Sequence, residues 1–207
     1  MSSLPIKENS YLFARGEELP SSSDSLWLIV SGVVKSYTFD EEGEIIPIGY
    51  WGEEDAVGQA ISGVEPYFME CLTEVKAFMI SPYQLQQLPA VMLKHTRNIE
   101  QLMCLLRYQS VEKRFLSVLK WLADRFGSRV EQGRLINLEL THNELAQLIG
   151  AARVTVTKLI NHLEREGIIL RRKKFIVLIE NHVRELVPLR GSNQFKVQSS
   201  KFKTQNF

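Results

Sequence analysis

Residues 141–160, Thr-His-Asn-Glu-Leu-Ala-Gln-Leu-Ile-Gly-Ala-Ala-Arg-Val-Thr-Val-Thr-Lys-Leu-Ile, decide how this chain is read. Thr141 and Glu144 stand in the T-x-x-E spacing of a capping box, in which each side chain satisfies a backbone N–H near the other. A first helix therefore starts at about residue 142, buries Leu145, Leu148 and Ile149, and lets a neighbour approach at Ala146. Gly150 supplies the left-handed residue that ends it. A second helix, over residues 152–166, buries Val156, Leu159, Ile160 and Leu163. Its other face carries Arg153, Thr155 or Thr157, and Lys158. Two short helices joined tightly, the second bearing a sparse polar row, have the shape and chemistry of a helix-turn-helix that reads the DNA major groove.

Arg153, in the first turn, can reach guanine O6 and N7 with both arms of its fork, a contact worth about 1–3 kcal/mol of discrimination. Lys158 can reach a base edge or a phosphate, and Val154, apolar in an exposed turn, suits a thymine methyl. Thr141, His142 and Asn143 open the preceding helix, where backbone N–H groups and the helix dipole favour phosphate. Downstream, Arg171-Arg172-Lys173-Lys174 leads into Phe175-Ile176-Val177-Leu178, the turn and second strand of a wing. Arg172, Lys173 and Lys174 at such a tip neutralise phosphates without reading sequence.

Upstream the pattern changes. From Tyr11 to Ile80 short runs rich in β-branched and aromatic residues are cut by Gly, Pro, Ser and acidic residues, as in a small antiparallel barrel or sandwich. Leu85, Leu88, Met92, His95, Ile99, Leu102, Leu106 and Gln109 then alternate in steps of three and four. This predicts a long helix over residues 89–108 whose seam (Met92, Ile99, Leu102, Leu106) pairs with a second copy of the chain. A helix over residues 110–126 follows, then a polar loop over 127–133 and a short strand over 135–140. The expected fold class is α+β: a β-roll in residues 1–88, a dimerisation helix and hinge in 89–109, a winged helix-turn-helix in 110–181 and a tail in 182–207.

The net charge of +1 hides an asymmetry. Residues 1–100 hold 6 Lys/Arg against 15 Asp/Glu, and residues 101–207 hold 19 against 9. A basic second half suits a polyanionic partner. Cys71 and Cys104 are far apart, which argues against a disulfide framework, a zinc ribbon or a cysteine-held iron–sulfur cluster. No apolar run is long enough to span a membrane, and the N-terminus lacks the apolar core of an export signal, so a cytoplasmic location is expected. A cupin-like metalloenzyme would need His and carboxylate ligands on adjacent strands, whereas His95, His142, His162 and His182 all fall outside the strand region. No metal site is expected. A non-DNA interaction module with a degenerate winged helix would have lost its exposed Arg and Lys, which this chain keeps.

With these parts in order, residues 11–180 resemble the CRP/FNR family of bacterial transcription regulators. Gly16-Glu17, residues 26–34 and Asp55-Ala56-Val57-Gly58 are similar to its cyclic-nucleotide-binding β-roll pattern, and the winged helix matches closely. The second helix of the motif is similar to the recognition helix of cyanobacterial regulators of the NtcA type. The resemblance implies a homodimer on a palindromic site in double-stranded DNA, with an RNA polymerase contact at the 127–133 loop. Arg153 would lie on a guanine, and Val154, where GTGA-reading relatives carry Glu, favours a GTA-like half-site. The effector positions depart from the pattern. Gln59 follows Gly58 where cyclic-AMP-binding relatives have Glu, and Glu65-Pro66 replace their phosphate-holding Arg-Ser. No Arg or Lys lies between Lys35 and Lys76 to serve cyclic AMP or 2-oxoglutarate. The expectation is a regulator without either ligand, and a constitutively competent dimer is an open alternative.

Overall fold

The computed structural model describes residues 10–179. Seven antiparallel strands come first: β1 Ser10–Phe13, β2 Leu26–Ser31, β3 Val34–Phe39, β4 Ile45–Trp51, β5 Ala56–Val57, β6 Phe68–Cys71 and β7 Val75–Ile80. They form two sheets, ordered β1-β7-β2-β5 and β4-β3-β6. Trp27, Ile29, Val57, Val75 and Ala77 from the first close on Val34, Trp51, Met69 and Cys71 from the second, which makes the roll's core. Both indoles are satisfied inside it, Trp27 donating to Pro20 O at 2.9 Å and Trp51 to Ser36 Oγ at 2.8 Å.

Helices follow: α1 Pro82–Gln86, α2 Pro89–Leu106 and α3 Val111–Phe126. Pro89 occupies the first turn of α2, where its missing N–H costs nothing. Phe115, Val118, Leu119 and Leu122 of α3 are fully buried at the 3–4 spacing, each contributing about 1.5–3 kcal/mol. Next come β8 Gly127–Val130, β9 Gly133–Ile136, α4 His142–Ile149, α5 Arg153–Arg165, β10 Ile169–Arg172 and β11 Phe175–Ile179. Their sheet runs β10-β11-β9-β8. The predicted polar loop at 127–133 is therefore mostly hairpin, and the strand expected at 135–140 ends at Ile136. The pairing of β9 with β11 explains the difference, because strand partners distant in sequence outweigh local polarity.

The helical seam needs a correction. Val91, Asn98, Leu102 and Leu105 of α2 face the chain's own core, with Leu102 only 5% exposed, so Leu102 is no dimer-seam residue. The outward stripe is Met92, Thr96, Ile99, Met103 and Leu106, also in 4-3-4-3 spacing, with Met103 56% exposed. Two stripes one residue apart both read as a heptad, and only the position of the roll distinguishes them. His95 belongs to the inward side, where its ring stacks on Trp51 with centroids 4.4 Å apart and Nδ1 lies 3.1 Å from Ala56 O.

One hydrophobic core runs without a break from the roll (Val33, Tyr50, Leu72) through α2 and α3 to α4 and α5. A polar hub crosses the same junction. Asp55, fully buried before β5, accepts from Gly52 N at 2.8 Å, Asn98 Nδ2 at 3.1 Å and Arg125 Nη2 at 2.6 Å, and Lys94 Nζ lies at 3.4 Å. It thereby joins the roll, α2 and α3.

Candidate nucleic-acid interface

The helix-turn-helix forms as its local chemistry requires. Thr141 Oγ1 accepts from Glu144 N at 3.1 Å, and Glu144 Oε2 accepts from Thr141 N at 2.7 Å, closing the capping box. Gly150 ends α4 at φ 60°, ψ 54°, a left-handed conformation that glycine adopts at little cost. Ala151 N then bonds back to Ala146 O at 3.0 Å, which tightens the turn into α5. Leu145, Leu148 and Ile149 of α4 meet Val156, Ile160 and Leu163 of α5 in the core.

Arg153, Val154 and Lys158 project to solvent on α5, with Val154 65% exposed. Val154 and Lys158 are four residues apart and so share one outward line, with Asn161 exposed a turn further on. Thr155 is half-buried on the same helix. Thr157 departs from expectation. Its hydroxyl donates to Arg153 O at 3.0 Å and lies 2.9 Å from His142 Nδ1. Thr157 and His142 thus brace α5 against the start of α4 instead of pointing free groups at DNA. Burial, followed by the nearby Arg171 and Arg153 charges, lowers the His142 pKa below 6.5, so its ring is neutral at pH 7. Thr141 and Asn143 remain exposed.

The wing is the β10–β11 hairpin, with Lys173 in the left-handed conformation (φ 57°) at its tip. Arg171, Arg172, Lys173 and Lys174 are all exposed. Arg171 Nε pairs with Glu164 Oε2 at 2.7 Å, Arg172 Nη2 donates to Gln132 Oε1 at 2.7 Å, and Lys174 lies 3.3 Å from Glu139. Glu164 and Gln132 therefore orient the base of the wing, two contacts that residue spacing does not announce.

The interface is also tied to the roll. Lys35 of β3, 4% exposed, pairs with Glu70 at 2.7 Å and approaches Glu144 at 4.0 Å, so the capping glutamate also faces the first half of the chain. Sequence reasoning missed this link and the Arg15–Glu139 pair, because each joins residues more than a hundred positions apart.

The four effector-pocket positions lie in one stretch of the roll. A side chain at Gly58 would come within 2.7 Å of Leu26 Cβ, so glycine here serves close packing on β2. Gln59 Nε2 donates to Val64 O at 3.2 Å, and Glu65 and Pro66 are exposed. None of the four lines either cleft that flanks the helix-turn-helix. Among the described residues no group of three or more His, Cys, Asp or Glu is arranged to hold a metal ion, and no helix is long and apolar enough to cross a membrane.

Known proteins share both sequence and fold with this chain. The Crp-like helix-turn-helix domain matches residues 113–184. The Regulatory protein CysR of Synechococcus elongatus is 34% identical over 170 residues, covering 81% of this chain and 82% of that protein. The fumarate and nitrate reduction regulatory protein of Vibrio cholerae is 28% identical, covering 90% and 78%. A CRP/FNR-family transcriptional regulator of Thermus thermophilus superposes with a TM-score of 0.72 at 26% identity, covering 88% of this chain and all of that one. The exposed recognition row, the wing and these relationships converge: the chain belongs to the CRP/FNR family of DNA-binding transcriptional regulators.

Proposed function

We propose that the protein binds a palindromic promoter site as a homodimer, with α5 of each copy in successive major grooves. The observation that carries this is the outward row Arg153, Val154 and Lys158, in which neither cation makes a side-chain bond to a described residue. Free cations at the start of an exposed helix are available for base edges, and Val154 beside Arg153 supports a GTA-like half-site of the kind NtcA-type recognition helices read. The outward stripe of α2, Met92, Thr96, Ile99, Met103 and Leu106, supports pairing of two copies through that helix. Thr141, Asn143, Arg172, Lys173 and Lys174 hold the backbone, and the β8–β9 hairpin is the surface offered to RNA polymerase.

Cyclic AMP is not the signal in this reading. An exposed Glu65 stands where an anion would sit, and Trp27, Trp51, Tyr67 and Met69 fill the roll's interior. Anisotropy titration with an inverted repeat of GTA half-sites and a scrambled duplex tests the assignment. Arg153→Ala is expected to weaken the specific complex about 10- to 100-fold, matching about 1–3 kcal/mol for a bidentate contact, with little change on scrambled DNA. Equal binding of both duplexes by both proteins would sink it.

A further inference from the structure

Glu139 lies in the connection between β9 and α4, and two cations from opposite ends of the chain meet on it. Arg15, in the loop after β1, pairs with its carboxylate, and Lys174 at the wing approaches to 3.3 Å. The Arg15 hydrogen bond, with Lys174 assisting, holds the Glu139 carboxyl below the usual carboxylate range. These residues line an open cleft of about 270 Å³, whose walls also include Thr141, Arg171 and Lys173. The cations are far from buried: the Arg15 side chain is 51% exposed and that of Lys174 76%.

A carboxylate between a guanidinium and an ammonium group, next to the opening residue of the first motif helix, has the charge and paired oxygens of a backbone phosphate. We propose that Glu139 stands in for a DNA phosphate in the free protein, and that Arg15 of the β-roll is a phosphate-binding residue. DNA exchanges its own phosphate for the Glu139 carboxylate, and both cations stay paired. An exposed ion pair is weak enough to be exchanged in this way. The basic footprint thereby extends from the wing onto the otherwise acidic first half of the chain. This rests on the winged-helix placement proposed above.

The test is salt-dependent anisotropy of the full chain on the inverted-repeat and scrambled duplexes. Arg15→Ala, and Arg15→Gln with its stem retained, are expected to weaken binding to both duplexes about five- to tenfold near 0.1 M salt. They should also lower the salt slope by about 1, the signature of one lost phosphate contact. Glu139→Gln is expected to tighten binding to both, because the competing anion is gone. A domain brace would instead make the Arg15 and Glu139 variants weaken binding alike. Weaker binding by Glu139→Gln, or an unchanged slope in the Arg15 variants, overturns the proposal. A wild type that fails to prefer the inverted repeat sinks the half-site reading, while the Arg15 effect remains measurable on scrambled DNA.

Discussion

The Asp55 hub makes a quantitative demand on stability. Asp55→Asn keeps the shape of the side chain but removes its charge, leaving the Arg125 guanidinium, only 14% exposed, without its counterion. Removing one partner of a buried pair costs about 3–5 kcal/mol, because the other charge stays desolvated. Arg125→Met is the milder change, since Lys94 at 3.4 Å, with its side chain 38% exposed, can still balance the carboxylate. With both changes no buried charge lacks a partner, so the double variant should be less destabilised than the sum of the singles, with a coupling of about 2 kcal/mol. At about 2–4 °C per kcal/mol for a chain of this size, Asp55→Asn alone should lower Tm by roughly 6–20 °C. Urea unfolding followed by tryptophan fluorescence reads the cycle, and Arg125 lies 5.3 Å from the Trp121 ring centroid, so one reporter sits at the hub. Additive effects, with coupling below about 0.5 kcal/mol, would refute the view that this pair joins the roll to α3.

Two further perturbations test other parts of the structure. His95 has its pKa lowered below 6.5, first by burial, with the Ala56 bond and the Asp55 charge opposing. The unfolded chain therefore takes up this proton before the folded one does, so the contribution is intact above about pH 6.5 and is lost as pH falls below it. His95→Gln should flatten the fall of the urea midpoint between about pH 7.5 and 5, and an unchanged slope would refute the assignment. Met103→Lys places a charge on the exposed stripe of α2 and should yield a folded monomer by sedimentation, whereas Leu102→Lys, in the core, should unfold the chain. A Met103→Lys protein that sediments as a dimer would rule out pairing through that stripe.

The motif at 141–160 was legible because its determinants are local. A capping box joins residues three apart, a left-handed Gly ends a helix within one turn, and an amphipathic face repeats every 3.6 residues. The strands of the roll and the wing were readable for the same kind of reason, a period of two cut by turn residues. At α2 this legibility stopped, since stripes 91/95/98/102/105 and 92/96/99/103/106 both keep heptad spacing and nothing in the helix says which one meets the roll. Thr157 and His142 looked like DNA ligands for a similar reason, since their residue types suit phosphate while the 2.9 Å contact between them exists only once α4 and α5 cross.

Sequence alone thus determined the winged helix-turn-helix, the exposed Arg153–Val154–Lys158 row and the acidic-to-basic division of the chain, all set by near neighbours and residue chemistry. Tertiary structure alone decided which charges are partnered. Asp55 meets Arg125 across 70 positions and Arg15 meets Glu139 across 124, pairings that no local propensity encodes. The roll and the helix-turn-helix bury a common apolar core, and closing that core is what brings these side chains together.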